Sequence, residues 1–291
     1  MKAIQTIELT KRYGRHRGIE KVSLAVDEGD FFGFIGPNGA GKSTTIRTLL
    51  GLISPTGGSA EIFGKSIVGD NTEILAEVGY LPSEAVFYSG MKVRDILSFA
   101  AKARRKNCAA EAARLCERLE LDPNRKINEL SLGNRKKVGI VLAMQHDPRL
   151  YIMDEPTGGL DPLMQQEFFS LLRERNAKGA TVFLSSHILS DVTRYCRHAA
   201  VIREGAILVS DSVEKLAHTG VKRVSLRGVG ALSQIPGATE LRFENNNASF
   251  LYRGDQTELI RALSGTSFED ITIADPDFEE IFLHYYSREG K

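Results

Sequence analysis

The stretch "FFGFIGPNGAGKSTTIRTLL", Phe31 to Leu50, decides the fold. Phe31 to Ile35 is an unbroken apolar run with the length of a buried strand, and it leads straight into a glycine-rich segment. From about Lys42 the pattern turns helical, with Ile46, Leu49 and Leu50 on one face and Gly51 as a stop. Between strand and helix, Gly36, Pro37, Asn38, Gly39, Ala40, Gly41, Lys42, Ser43 and Thr44 spell a GxxxxGKS string in the context that gives it meaning. Glycines there let successive N–H groups turn inward at phosphate oxygens, beside a helix N-terminus whose dipole favours negative charge. Lys42 is placed to reach the β- and γ-phosphates, and the Ser43 hydroxyl to serve Mg2+.

Buried strands return at Leu150 to Met153 and Thr181 to Leu184, separated by a helical stretch from Gln165 to Lys178. That βαβ order implies a parallel sheet and an α/β core. The first of these strands ends in Asp154 and Glu155, at the carboxyl end where such sheets bind ligands. Asp154 suits a Mg2+ held through its water shell, and Glu155 suits orienting or deprotonating an attacking water. Alternation from Ile19 to Val26 predicts a half-buried antiparallel strand in a short opening sheet. The segment Lys92 to Leu119 reads as a helical insertion broken near Lys106-Asn107.

Beyond about Thr219 the texture becomes short alternating strands (Val221 to Leu226, Glu240 to Phe243, Ser249 to Tyr252), a helix near Gln256 to Leu263, a strand at Asp270 to Ile273 and a last helix after Pro276. A small α+β domain is expected there. Phe278, Ile281, Phe282 and Tyr285 would form an apolar stripe on the last helix, either closing that domain's core or meeting another subunit.

Composition narrows the function. With 38 Lys+Arg against 37 Asp+Glu in 291 residues, the chain has no basic excess for gripping nucleic acid, so no nucleic-acid partner is expected. Cys108, Cys116 and Cys196 form no CxxC pair, which argues against a disulfide framework or zinc cluster and fits a reducing cytosol. Apolar runs such as Val138 to Met144 fall short of the roughly 20 residues that cross a bilayer. The opening "MKAIQTIELT" lacks a signal-peptide core, so export of the chain is not expected.

These motifs, in this order, resemble the ATP-binding subunit of an ABC transporter over about the first 215 residues. The family's signature LSGGQ corresponds to "LSLGN", Leu130 to Asn134, which keeps Ser131 and Gly133 but has Leu132 and Asn134 in place of Gly and Gln. Ser131 also reads as the N-cap of a helix from Arg135 to Met144, so its hydroxyl and the helix dipole can converge on a γ-phosphate. The resemblance implies that this phosphate belongs to a nucleotide on the opposite subunit. It further implies that Asp161 in "GGLD" lies in the loop crossing the dimer interface and that His187 senses the γ-phosphate. Tyr13 in "TKRYG" would stack on adenine, where packing on the antiparallel sheet is the competing use of a tyrosine.

The implied architecture is a P-loop NTPase ABC cassette over residues 1–218, with a RecA-like parallel core, an antiparallel β-subdomain and a helical signature subdomain at about 84–145, followed by a small α+β domain at 219–291. The implied cofactors are ATP and Mg2+. The implied catalytic set is Glu155, His187 and Lys42, with Ser43 and Asp154 on the metal. Partners would be a separate transmembrane permease subunit and a second cassette, in a homodimer or a heterodimer, at the cytoplasmic face of the membrane. The "YLPSE" segment and the C-terminal extension resemble exporter-type ATPases of the ABC-2 kind.

One departure is plain: after Pro82, where the family often has Gln, stands Ser83, too short to span the same distance, followed by Glu84. Val86, Phe87, Tyr88 and Met91 next to it either line the groove for a membrane subunit or fill the helical subdomain's core. A competing class is the soluble ABC ATPase acting on ribosomes or nucleic acid. Such proteins usually carry two cassettes or a long coiled coil, whereas this chain has one phosphate loop and no sustained heptads. A P-loop GTPase is disfavoured by the lack of an NKxD string.

Overall fold

A computed structural model describes residues 1–14, 16–88, 90–217, 221–230, 232 and 235–274. The chain divides into two compact units, Met1–Asp211 and Ser212–Lys291. This division falls a few residues before the boundary read from the sequence.

In the first unit, β1 (Lys2–Tyr13), β2 (His16–Asp27), β3 (Phe31–Ile35), α1 (Lys42–Leu49), β4 (Gly57–Ile62), β5 (Lys65–Ser66), α2 (Thr72–Ala76) and β6 (Val78–Leu81) come first. They are followed by α3 (Val93–Ala103), α4 (Ala109–Arg118), α5 (Leu132–Met144), β7 (Leu150–Asp154), α6 (Pro162–Ala177), β8 (Thr181–Ser186), α7 (Leu189–Tyr195), β9 (His198–Arg203) and β10 (Ala206–Ser212). Two sheets result, one of order β2-β1-β4-β5 with antiparallel pairing and one of order β10-β9-β3-β8-β7-β6, parallel from β9 to β6.

The opening sheet is longer than its sequence suggests. β2 contains the expected strand, but its partner β1 has no clean alternation: its burial pattern breaks phase where the pairing register shifts between Thr6 and Leu9, and Glu8 has φ 46°. At that point the buried Thr6 hydroxyl donates to Val22 O at 2.9 Å and accepts from Leu24 N at 2.8 Å, which satisfies the local backbone.

The parallel sheet behaves as its apolar runs predict. All five residues of β3 and of β7 and all six of β8 are buried, as strands covered on both faces should be. Because β8 lies between β3 and β7, with Ile35 beside Ser186 and Asp154 beside Ser185, three carboxyl ends stand side by side. Those ends carry the glycine loop, the acid pair and His187. The helical insertion forms as α3 and α4, separated at Arg104–Cys108, and α5 begins directly after Ser131.

The second unit continues with α8 (Val213–Ala217), β11 (Val221–Arg227), β12 (Ala238–Glu244), β13 (Asn247–Arg253), α9 (Gln256–Leu263) and β14 (Asp270–Ala274). Its strands form an antiparallel sheet of order β12-β13-β11-β14. Val224, Leu226, Phe250, Tyr252, Leu259 and Leu263 belong to a core of its own, so α9 covers this sheet. The expected last helix lies outside the described residues. Among the described residues no helix is long and apolar enough to cross a membrane.

Candidate functional site

The glycine loop folds as its residue types require. Gly41, at φ 110°, is the N-cap residue of α1 and supplies no side-chain cap, and the first turn of α1 carries no acid. The N–H groups at that helix end are therefore left for an anion, and a Cβ at Gly41 would meet Ile19 Cγ2 at 2.9 Å. Pro37, Asn38, Gly39, Gly41, Lys42, Ser43 and Thr44 line a groove of about 340 Å³ together with Tyr13, Gly18, Ser83 and Glu155. Gly36 and Ala40 support the loop from behind, since a Cβ on Gly36 would come within 2.5 Å of Ile202 O.

Lys42 is 5% exposed and reaches across its own loop, donating to Gly36 O at 2.5 Å and Pro37 O at 3.2 Å. It also forms an ion pair with Glu155 Oε1 at 3.0 Å. The other carboxylate oxygen, Oε2, stands 2.7 Å from His187 Nδ1. Glu155 is thus held between two nitrogen groups from separate strand ends.

Asp154 is fully buried, and its Oδ1 accepts from the Ser185 hydroxyl at 2.6 Å. Its Oδ2 is buried without a hydrogen-bond partner among the described residues. A desolvated carboxylate oxygen with nothing to accept from, one residue before Glu155 in the groove wall, fits a divalent cation and its water shell. Ser43, in the groove wall, adds the hydroxyl such an ion would use. The donor set is all oxygen, as Mg2+ requires.

Ser185 was not legible as a site residue. Its hydroxyl both holds Asp154 and accepts from Glu155 N at 3.2 Å; the one signal was a polar residue at an inward position of an apolar strand, two before His187.

Three expected residues, Ser131, Gly133 and Asp161, stand apart from the groove. Ser131 Oγ accepts from Asn134 N at 3.3 Å as the N-cap of α5, and neither Ser131 nor Gly133 lines the groove. Gly133 instead lies against the GGLD turn, where a Cβ would be 2.6 Å from Gly159 O. Asp161 caps α6, accepting from Met164 N at 3.0 Å ahead of Pro162. Tyr13 is in the groove wall and 44% exposed, so it is not a core residue of the antiparallel sheet. Val86 and Tyr88 are 91% and 79% exposed, which removes them from any core, whereas Phe87 is half-buried.

Comparison with known proteins gives the family and agrees with the fold. Residues 19–158 match the ABC transporter family. The bacitracin transport ATP-binding protein BcrA of Bacillus licheniformis is 40% identical over 212 residues, which is 70% of this chain and 68% of BcrA. A solved ATP-binding subunit of an ABC transporter superposes with a TM-score of 0.69 at 32% identity, over 74% of this chain and 91% of that one. The dimeric structure of MJ0796, a bacterial ABC transporter cassette, gives a TM-score of 0.63 at 25% identity over 72% of this chain and 98% of that one. With a phosphate loop, a paired-acid strand and a signature helix on this fold, the chain belongs to the ABC transporter family as an ATP-binding subunit, an ABC-type ATPase.

Proposed function

We propose that this subunit hydrolyses ATP with Mg2+ at a site shared between two cassettes and so drives export through a separate membrane-spanning partner. The observation that carries the reading is the Glu155 carboxylate, set between Lys42 and His187 on the wall of the phosphate groove. Lys42 and the N–H groups of the loop hold the β- and γ-phosphates, and Tyr13 offers its ring to adenine at the groove wall. Ser43 and Asp154 hold Mg2+, which supplies charge neutralisation of the phosphates when bound. Glu155 takes the proton of a water whose oxygen bonds to the γ-phosphorus, as the bond from that phosphorus to the ADP oxygen breaks. His187 orients the Glu155 carboxylate and donates toward the γ-phosphate.

The groove holds no signature residue of its own chain, so Ser131 and Gly133 serve the nucleotide of a second cassette, identical or similar, with Asp161 near the crossing. The exposed Val86 and Tyr88 form the contact for the permease at the cytoplasmic face of the membrane. The C-terminal domain carries no phosphate loop and no paired-acid strand, and its role is to regulate or stabilise the dimer. Phosphate release by the full chain tests the central claim. It should require Mg2+, stop with EDTA and return when Mg2+ is restored; turnover indifferent to EDTA would overturn it.

A further inference from the structure

Lys136, five residues after Ser131 on α5 and in the basic run Arg135-Lys136-Lys137, is 4% exposed. Its ammonium donates to Ser83 O at 2.8 Å, Glu155 O at 3.1 Å and Pro82 O at 3.2 Å. An ammonium has three donors, and here each finds a backbone carbonyl. Those carbonyls come from two segments distant in sequence, the turn after β6 and the turn after β7.

The second of these turns needs holding. Glu155 has φ 47°, a left-handed conformation that side chains other than glycine seldom adopt. Its N–H donates to Ser185 O and Ser185 Oγ, both at 3.2 Å, and its carbonyl accepts from Lys136. Both peptide groups of the residue are therefore pinned, which aims its carboxylate at Lys42 and His187. Burial holds the pKa of Lys136 down to about 8, while the negative charge of Asp154, Glu155 and Glu84 works the other way and favours the ammonium.

We infer that Lys136 is a positioning residue for hydrolysis: it fixes the backbone of Glu155 and ties it to the Pro82–Ser83 turn, making with one ammonium the link that the short Ser83 side chain does not span. The same turn leads within a few residues to the exposed Val86 and Tyr88. A displacement there is carried through Ser83 O and Lys136 to the residue that handles water. This inference rests on the hydrolytic reading of Glu155.

The test compares Lys136→Met, Lys136→Gln and Lys136→Arg with wild type and Glu155→Gln in the full chain, reading kcat, KM for ATP and affinity for a labelled nucleotide. Loss of the anchor should lower kcat about tenfold to a hundredfold in Lys136→Met while KM and nucleotide affinity stay within about twofold, because the displaced group acts on the chemical step. Lys136→Arg, which keeps charge and donors, should recover most of kcat. If Lys136→Met does not fold, Lys136→Gln, with two amide donors, is read by the same criteria and should show a smaller loss of kcat alone. A folded variant with wild-type kcat, or one in which affinity falls as far as kcat, overturns the inference. Full turnover in Glu155→Gln would instead remove the hydrolytic reading, and this inference with it.

Discussion

Lys42 Nζ lies 3.0 Å from Glu155 Oε1, so the lysine of the glycine loop and the acid at the end of β7 neutralise each other across the groove. Both side chains are largely removed from water, where such a pair is little screened. If the loop takes a nucleotide as proposed, its phosphates draw Lys42 away from Glu155 and free that carboxylate. On the proposed hydrolytic role of Glu155, occupancy of the phosphate loop and availability of the base would be one event.

Glu155→Gln follows directly. The amide keeps the shape but cannot take the water's proton, so kcat should fall by about 10² or more. Nucleotide affinity should hold or rise, since Lys42 loses its charged competitor. Phosphate release and titration with a labelled nucleotide read both effects, and an ATP-locked dimer should accumulate on a sizing column. Undiminished turnover would place the proton acceptor on another residue.

Lys42→Ala should act at binding. It removes a charge-assisted contact to the phosphates, a loss of roughly tenfold to a hundredfold in affinity. Equal affinity in the two chains would contradict the cradle.

Tyr13→Ala should weaken ATP binding by about 1 to 3 kcal/mol, the scale of an aromatic ring stacked on a base, and Tyr13→Trp should be tolerated. Because Tyr13 is half-exposed, its melting temperature should barely move. A large drop in thermal stability with affinity intact would assign the ring to packing.

His146 gives the fold a pH dependence. Burial, with Arg104 nearby, holds its imidazole down to about 4, and Nε2 stands 3.1 Å from Val78 O. In the unfolded chain the ring protonates near 6.5, as free histidine does. Between pH 6.5 and about 4 the unfolded state binds the extra proton, so stability is full above that window and falls as the pH drops through it. From about pH 7 to 5 this site should remove about 2 kcal/mol, and His146→Gln should flatten that part of the profile in denaturant unfolding. Parallel profiles would contradict the assignment.

Replacing Val86 and Tyr88 together by Asp should leave ATP binding in solution intact and reduce the fraction of the protein that sediments with native membranes. These side chains support nothing inside the fold, so a folding defect is not expected. Unchanged sedimentation would move the permease contact elsewhere.

Much of this protein is legible one segment at a time. The phosphate loop, the acid pair, the Ser131 cap and the strands of the C-terminal unit are local patterns of glycine spacing, apolar period and capping chemistry, and each is written within a dozen residues. β1 escaped that reading because its register shift near Glu8 breaks the alternation on which a strand is recognised. The contact of Lys42 with Glu155, the double use of the Ser185 hydroxyl and the burial of Lys136 were decided by tertiary structure alone. They depend on β8 lying between β3 and β7 and on α5 bringing its ammonium to two remote turns. A residue's local pattern records its own period and its neighbours along the chain; which cation meets which carboxylate is settled only when strands far apart in sequence take adjacent places in the sheet.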